Sequence, residues 1–161
     1  MNTPKDSNWL TGSGVEIEFN ILCEKVLKSV SSGSKIFIGT DSFIANRKIN
    51  FATAICLHGG NGPTHYYFTK NTLSKKMFPA LVSRITEEVR RSVELAEIIS
   101  SDLGISNNNI ELHLDVSPYN TKNGTAKFSE MLKSYAQGAG FNCRVKPDAW
   151  ASQTVADKHS K

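Results

Sequence analysis

From Lys35 to Thr69 the sequence offers one strand after another and no helix. Lys35 to Ala45, Ile49 to His58 and His65 to Thr69 are rich in Ile, Phe and Thr, residues that favour a pleated, half-buried surface. Between them stand only "ANRK" and "GGNGP". A parallel crossover needs a dozen or more residues, so such short connections allow only antiparallel neighbours. The chain is therefore committed to a three-stranded meander before any helix can cover it.

Downstream of the meander, helix and strand alternate. Ser74 to Ser101 repeats apolar residues at helical spacing and predicts a long helix; "GISNNN" breaks it. "IELHLDV" (110–116) is a fourth strand, and "SPYNTKNG" is a polar loop leading to a helix over about 125–137. "FNCRVK" is a fifth strand, after which Pro147 and Asp148 open a terminal helix with Asp148 as its N-cap. Upstream, residues 1–12 read as an irregular arm. Phe19, Leu22, Cys23, Val26, Leu27 and Val30 mark an amphipathic helix from Val15 to Val30. A meander followed by right-handed βαβ crossovers predicts a mixed α/β fold. Its five-stranded sheet has three antiparallel and two parallel strands and is flanked by helices.

Bulk properties set few further limits. At 161 residues a single domain over 1–161 is expected, with the arm and first helix (1–32) packed on it. The net charge of +4 permits a polyanionic partner without demanding one. Cys23, Cys56 and Cys143 are odd in number and lack ligand spacing. Buried free thiols in a reducing, cytoplasmic setting are the expectation. The opening MNTPKDSNWL lacks the apolar core of a signal peptide, and no apolar run is long enough for a membrane span.

The chemistry begins with "IFIGTDSF", a buried-looking strand running into Asp41. A carboxylate leaving a sheet interior is costly unless it is paired or holds a cation, although Asp also opens turns readily. Asp115 closes the fourth strand. If that strand lies beside the first, ~4.8 Å away, the two carboxylates stand at a switch point where α/β sheets bind ligands. Otherwise they are two unrelated loop acids. On the long helix, Phe78, Leu81, Val82, Ile85, Val89, Val93 and Ala96 form the apolar face. Glu87 and Glu94 fall roughly opposite it and Glu97 to one side. Glu88 lies at its margin, able to look along the sheet toward Asp41 or to serve as an ordinary ion-pair partner. Asp157 sits late in the terminal helix, where the macrodipole disfavours an anion, which invites a functional reading beside that of a frayed end. Three or four converging carboxylates repel one another unless neutralised, and an oxygen-only set suits Mg²⁺ or Mn²⁺. Two such ions can drive phosphodiester cleavage.

Other residues read more simply. His113 shares the face of Asp115 and reads as a sheet-face histidine before a proton shuttle. Gly39 relieves crowding, and Trp150 reads as core. Thr40 and Ser42 point away from Asp41. Lys146 and Lys158 flank the acids.

The segments "IFIGTDSF", "RITEEVRRSVELAEII", "HLDVSP" and "GFNCRVKPDAWASQTVADKHSK" resemble the YkuK-type family of ribonuclease H-like proteins. The similarity runs from about Lys35 onward, and "KPDAWASQTVADKHSK" is its most specific part. The resemblance implies a ribonuclease H-like fold with Asp41 as the first-strand acid and Asp115 as the fourth-strand acid. Glu88 fits the helix acid and Asp157 the terminal one. It implies a Mg²⁺- or Mn²⁺-dependent nuclease acting on RNA, RNA–DNA hybrid or structured DNA. The alternative is a non-catalytic nucleic-acid- or protein-binding module that keeps the fold. A phosphate-binding ATPase of the actin and sugar-kinase type fits poorly: no P-loop or GxGxxG is present, and that architecture needs two such domains.

Overall fold

A computed structural model describes residues 3–117 and 126–161. The order is β1 (Trp9–Thr11), β2 (Glu16–Ile17), α1 (Phe19–Ser31), β3 (Lys35–Ala45), β4 (Lys48–His58), β5 (His65–Ser74), α2 (Leu81–Leu103), β6 (Ile110–His113), α3 (Ser129–Gly138) and β7 (Asn142–Arg144). The terminal helix is π-helical over Ala151–Ala156 and α-helical over Asp157–Ser160. One sheet runs β2-β1-β5-β4-β3-β6-β7. β3, β4 and β5 form the expected antiparallel meander, and β6 and β7 pair in parallel beyond β3. This is the expected mixed α/β architecture of antiparallel and parallel strands flanked by helices.

Seven strands replace the expected five. The arm read as irregular instead supplies β1, which pairs with β5, and β2. Its anchor is Trp9, 1% exposed, whose indole N–H donates to the Pro4 carbonyl. The first helix accordingly starts at Phe19 rather than Val15. β5 extends to Ser74, and α2 begins only at Leu81. Pro79 explains the shift: it lacks an N–H and disfavours helical backbone at Phe78 just before it.

The sheet separates two apolar layers. On one side α1, α2 and α3 pack over Ile36, Ile38, Ile55, Leu57, Ile110 and Leu112. The other side carries Phe37, Ala54, Cys56 and Phe68 beneath the terminal helix, through Ala151 and Ala156. Gly39 is what lets that helix come so close. A Cβ there would stand 2.5 Å from the Ser152 backbone nitrogen and 2.7 Å from the Ala151 carbonyl carbon. Asp148 does not cap the helix as expected; it is exposed. The Gln153 carboxamide does so instead, accepting from the Ala149 N–H at 2.9 Å.

The strands end unequally, and this positions the site. The β3–β6 ladder stops at Gly39↔His113, whereas β3 and β4 stay paired to Ala45↔Lys48. Beyond His113 the chain leaves β3 and is held on its other side. The Leu114 N–H donates to the Arg144 carbonyl and the Lys146 N–H to the Val116 carbonyl. A notch opens between Asp41 and Asp115.

Candidate metal centre

Asp41, Glu88 and Asp115 converge in this notch, each offering a carboxylate oxygen within 4.8 Å of the others. Asp41 arrives on β3, on the face under the terminal helix. Glu88 comes from α2 on the opposite face and reaches the strand end, because it occupies the margin of the helix's apolar stripe. Asp115 sits just past β6, where the backbone has left the ladder. Asp41 and Glu88 are 6% and 5% exposed, so two carboxyl groups are almost wholly removed from water.

Neighbouring groups fix each acid without neutralising the set. The Ser42 hydroxyl donates to Glu88 Oε2 at 2.5 Å, and the Ser160 hydroxyl donates to Asp41 Oδ2 at 3.1 Å. Lys146 Nζ is 3.0 Å from Asp115 Oδ1. Burial, then hydrogen bonding to Asp115, then the nearby Glu88 and Asp115 charges push Asp41 up to about 9. Asp157 adds a smaller upward push on Asp41, but it is not one of the three acids whose oxygens converge within 4.8 Å. Asp157 Oδ2 accepts from Lys161 Nζ at 3.2 Å. Glu88 is raised to about 8, chiefly by burial and by Asp115; the Ser42 hydroxyl and the Arg84 and Lys146 charges oppose the shift. Such acids hold protons unless positive charge arrives.

All donors here are carboxylate oxygens, so the set fits a hard divalent cation and gives a soft metal no ligand. Asp148 is not among them. Of the flanking lysines, Lys146 binds Asp115 and Lys158 is exposed. Ser42 does more than point away from Asp41, since it orients Glu88. Thr40 bonds to Thr53 and to Ser92 on α2, tying strand to helix. The loop over 117–124, read as polar, lies outside the described residues except for Ser117, which is buried.

Glu87, read as facing away from the apolar face, and His113, read as a sheet-face histidine, are both buried. Glu87, expected opposite the apolar face, is 6% exposed and held by Arg90 and Arg91. His113 is 1% exposed with both ring nitrogens engaged: Nε2 is 3.0 Å from Glu111 Oε1, and Nδ1 accepts from the Ala151 N–H at 3.0 Å. Burial holds it below the usual histidine range despite Glu111. It stays neutral and anchors the start of the terminal helix, which supports the sheet-face reading over the shuttle.

A family model described as Ribonuclease H-like matches residues 19–161. No curated protein and no solved structure matches the chain. No helix among the described residues is long and apolar enough to cross a membrane.

Proposed function

Because the chain belongs to the ribonuclease H-like family, we propose that it is a metal-dependent nuclease of the YkuK type. It acts as one domain over residues 1–161 in a reducing cytoplasm and hydrolyses phosphodiester bonds in RNA, RNA–DNA hybrid or structured DNA. The observation that carries the reading is the meeting of Asp41, Glu88 and Asp115 within 4.8 Å at the notch. Buried acids so close together, raised to about 9 and about 8 at two of the three positions, support a site poised for positive charge.

Asp41, Glu88, Asp115 and Asp157 would hold Mg²⁺ or Mn²⁺. Bound there, such ions supply Lewis-acid activation of water and charge stabilisation at the leaving oxygen of a phosphodiester. The rest is the work of the chain's own residues. Asp41 would serve there as a carboxylate, its proton released to solvent, and the Ser160 hydroxyl keeps its Oδ2 oriented. Ser42 holds Glu88 aimed into the notch from the far face of the sheet. Lys146 restrains Asp115. His113 fixes the first turn of the helix that carries Asp157. Near-complete burial of Asp41 and Glu88 excludes bulk water from their oxygens.

The test is cleavage of single-stranded RNA, RNA–DNA hybrid and branched DNA with Mg²⁺ or Mn²⁺. Asp41→Asn is expected to abolish turnover and Glu88→Gln to reduce it by about 10² or more. Glu94→Gln, whose carboxylate pairs with Arg90, leaves it intact. A contaminating nuclease would ignore all three changes. Inertness on every substrate, together with no Mn²⁺ binding by calorimetry, ends the enzyme reading.

A further inference from the structure

Between Ser42 and Thr86 the sequence contains no Asp or Glu, yet it carries Arg47, Lys48, Lys70, Lys75, Lys76 and Arg84. A chain of net charge +4 has thus concentrated six cations in the segment that leaves the acid notch. The fold gathers most of them at one end of the sheet. β3 turns into β4 through Asn46 and Arg47, both at positive φ (51° and 66°) as a two-residue hairpin requires. Lys75 and Lys76 come directly after β5 at that same end, where the Lys75 N–H donates to the Arg47 carbonyl.

Strand register shows which side chains share the face of Asp41. Asp41 pairs with Ala52, and Ala52 with Lys70; Phe43 pairs with Asn50, and Asn50 with Thr72; Ala45 pairs with Lys48, and Lys48 with Ser74. Directly opposed residues point to the same side of a sheet. The three rows therefore form one surface that starts at Asp41 and runs to the hairpin. The opposite side of this end is covered: Phe51 packs on Phe78 and under Arg91. On the Asp41 side the first row is buried at Asp41 and Ala52, 6% and 0% exposed, and the surface opens from Phe43 onward. Phe43 is 39% exposed, and Lys48, Lys70, Thr72 and Ser74 are exposed, Lys70 Nζ also donating to the Lys161 carbonyl at 3.4 Å.

We infer that this open end of the meander is a binding platform for single-stranded nucleic acid, with Phe43 as a base-stacking surface and Lys48 and Lys70 as phosphate contacts. The inference rests on the nuclease reading and deepens it by naming the substrate class. Three features favour a polynucleotide single strand. Beyond Asp41 the chain that forms the surface carries cations and no acid, matching a phosphate backbone. It is continuous with the notch, since Phe43 stands two residues, ~7 Å, from Asp41 along β3. An exposed aromatic ring among lysines accepts an unstacked base of any sequence, whereas a duplex keeps its base faces hidden. Thr72 and Asn50, hydrogen-bonded to each other at 2.7 Å, give the platform a fixed polar floor between ring and lysine.

The test is fluorescence anisotropy of labelled single-stranded and duplex oligonucleotides of equal length, titrated in EDTA so that cleavage does not intervene. The wild type is expected to prefer the single strand. Phe43→Leu keeps the apolar volume but removes the ring and should weaken binding about tenfold. The double variant Lys48→Ala/Lys70→Ala should lower the slope of log K against log salt by about 1.4. Lys25→Ala, at an exposed position on α1, should change nothing, and circular dichroism checks that each variant is folded. Duplex preference, no binding by the wild type, or wild-type affinity in both platform variants overturns the inference. Failure here is separable from failure of the nuclease reading. Cleavage that survives in both platform variants with unchanged affinity leaves the nuclease and removes the platform. Strand binding that is lost in the variants, without cleavage by the wild type, does the reverse.

Discussion

Two buried acid sites, Glu111 on β6 and the pair Asp41 and Glu88 beside the end of that strand, have been built in opposite ways. Glu111 is 5% exposed and answered on every side: Lys35 Nζ at 3.2 Å, Arg144 Nε at 2.6 Å and His113 Nε2 at 3.0 Å. Burial alone would raise its carboxyl, but the bonds from His113 and Lys35 and the Lys35 and Arg144 charges outweigh it and hold Glu111 below the usual range. Asp41 and Glu88 have similar burial with other acids as their near neighbours, and both are raised. A buried carboxylate whose charge is matched within the fold is a structural tie. One left facing its own kind waits for a charge from outside. Conservative substitutions at the two sites should therefore move stability in opposite directions.

The largest effect belongs to the matched site. Glu111→Gln leaves Lys35, Arg144 and His113 without their anion and should destabilise the fold by about 3 kcal/mol, on the order of 9 °C in Tm. A thermal melt near the wild-type value would erase the distinction between the two sites.

The pH profile comes next. Asp41 and Glu88 are raised in the folded state, so above about pH 4 the unfolded chain has released protons that the fold still holds. Their contribution is greatest below that range and is lost as pH rises through about 8 to 9. The metal-free protein should lose on the order of 5 °C in Tm between about pH 5.5 and pH 8.5. Mn²⁺ should recover more at the upper end of that interval than at the lower, because protons compete with it. A profile rising over that interval would contradict the raised values.

Asp41→Asn should be smaller and of opposite sign to Glu111→Gln. Removing one carboxylate from an unneutralised set is expected to leave metal-free stability unchanged or raise it by about 1 kcal/mol, read by denaturant titration. A loss as large as that at Glu111 would make Asp41 structural. The finest contrast is Ser42→Ala. It removes one hydroxyl from Glu88 and should cost no more than about 1 kcal/mol, while weakening Mn²⁺ binding in calorimetry through a looser Glu88.

The two sites also differed in how far the sequence disclosed them. Asp41 and Asp115 were legible because each interrupts or closes a strand pattern, and Glu88 because helical phase set it apart from Glu94 and Glu97. The meander and the parallel crossovers came from connector lengths. Glu87 was misplaced on the solvent face. Helical phase alone cannot register that arginines three and four residues later, at 90 and 91, will fold over it and carry it inward. β1 and β2 were missed because three and two residues cannot display an alternation, and their pairing with β5 is a long-range choice. Ser42 and Ser160 had no signal at all. A serine becomes an orienting group only once the fold has chosen the carboxylate beside it, and Ser160 lies 119 positions from Asp41.

Gly39 gives the notch an unusual mechanical character. With no side chain between β3 and the terminal helix, main chain rests on main chain, at distances that would leave a methyl group 2.5 Å from a peptide nitrogen. Most helix–sheet seams are cushioned by side chains that can change rotamer, so their spacing drifts as sequences diverge. This seam has no shim to trade. The offset between Asp41, two residues along the strand, and Asp157, five residues along the helix from Ser152, is gauged by peptide dimensions, which mutation elsewhere does not alter.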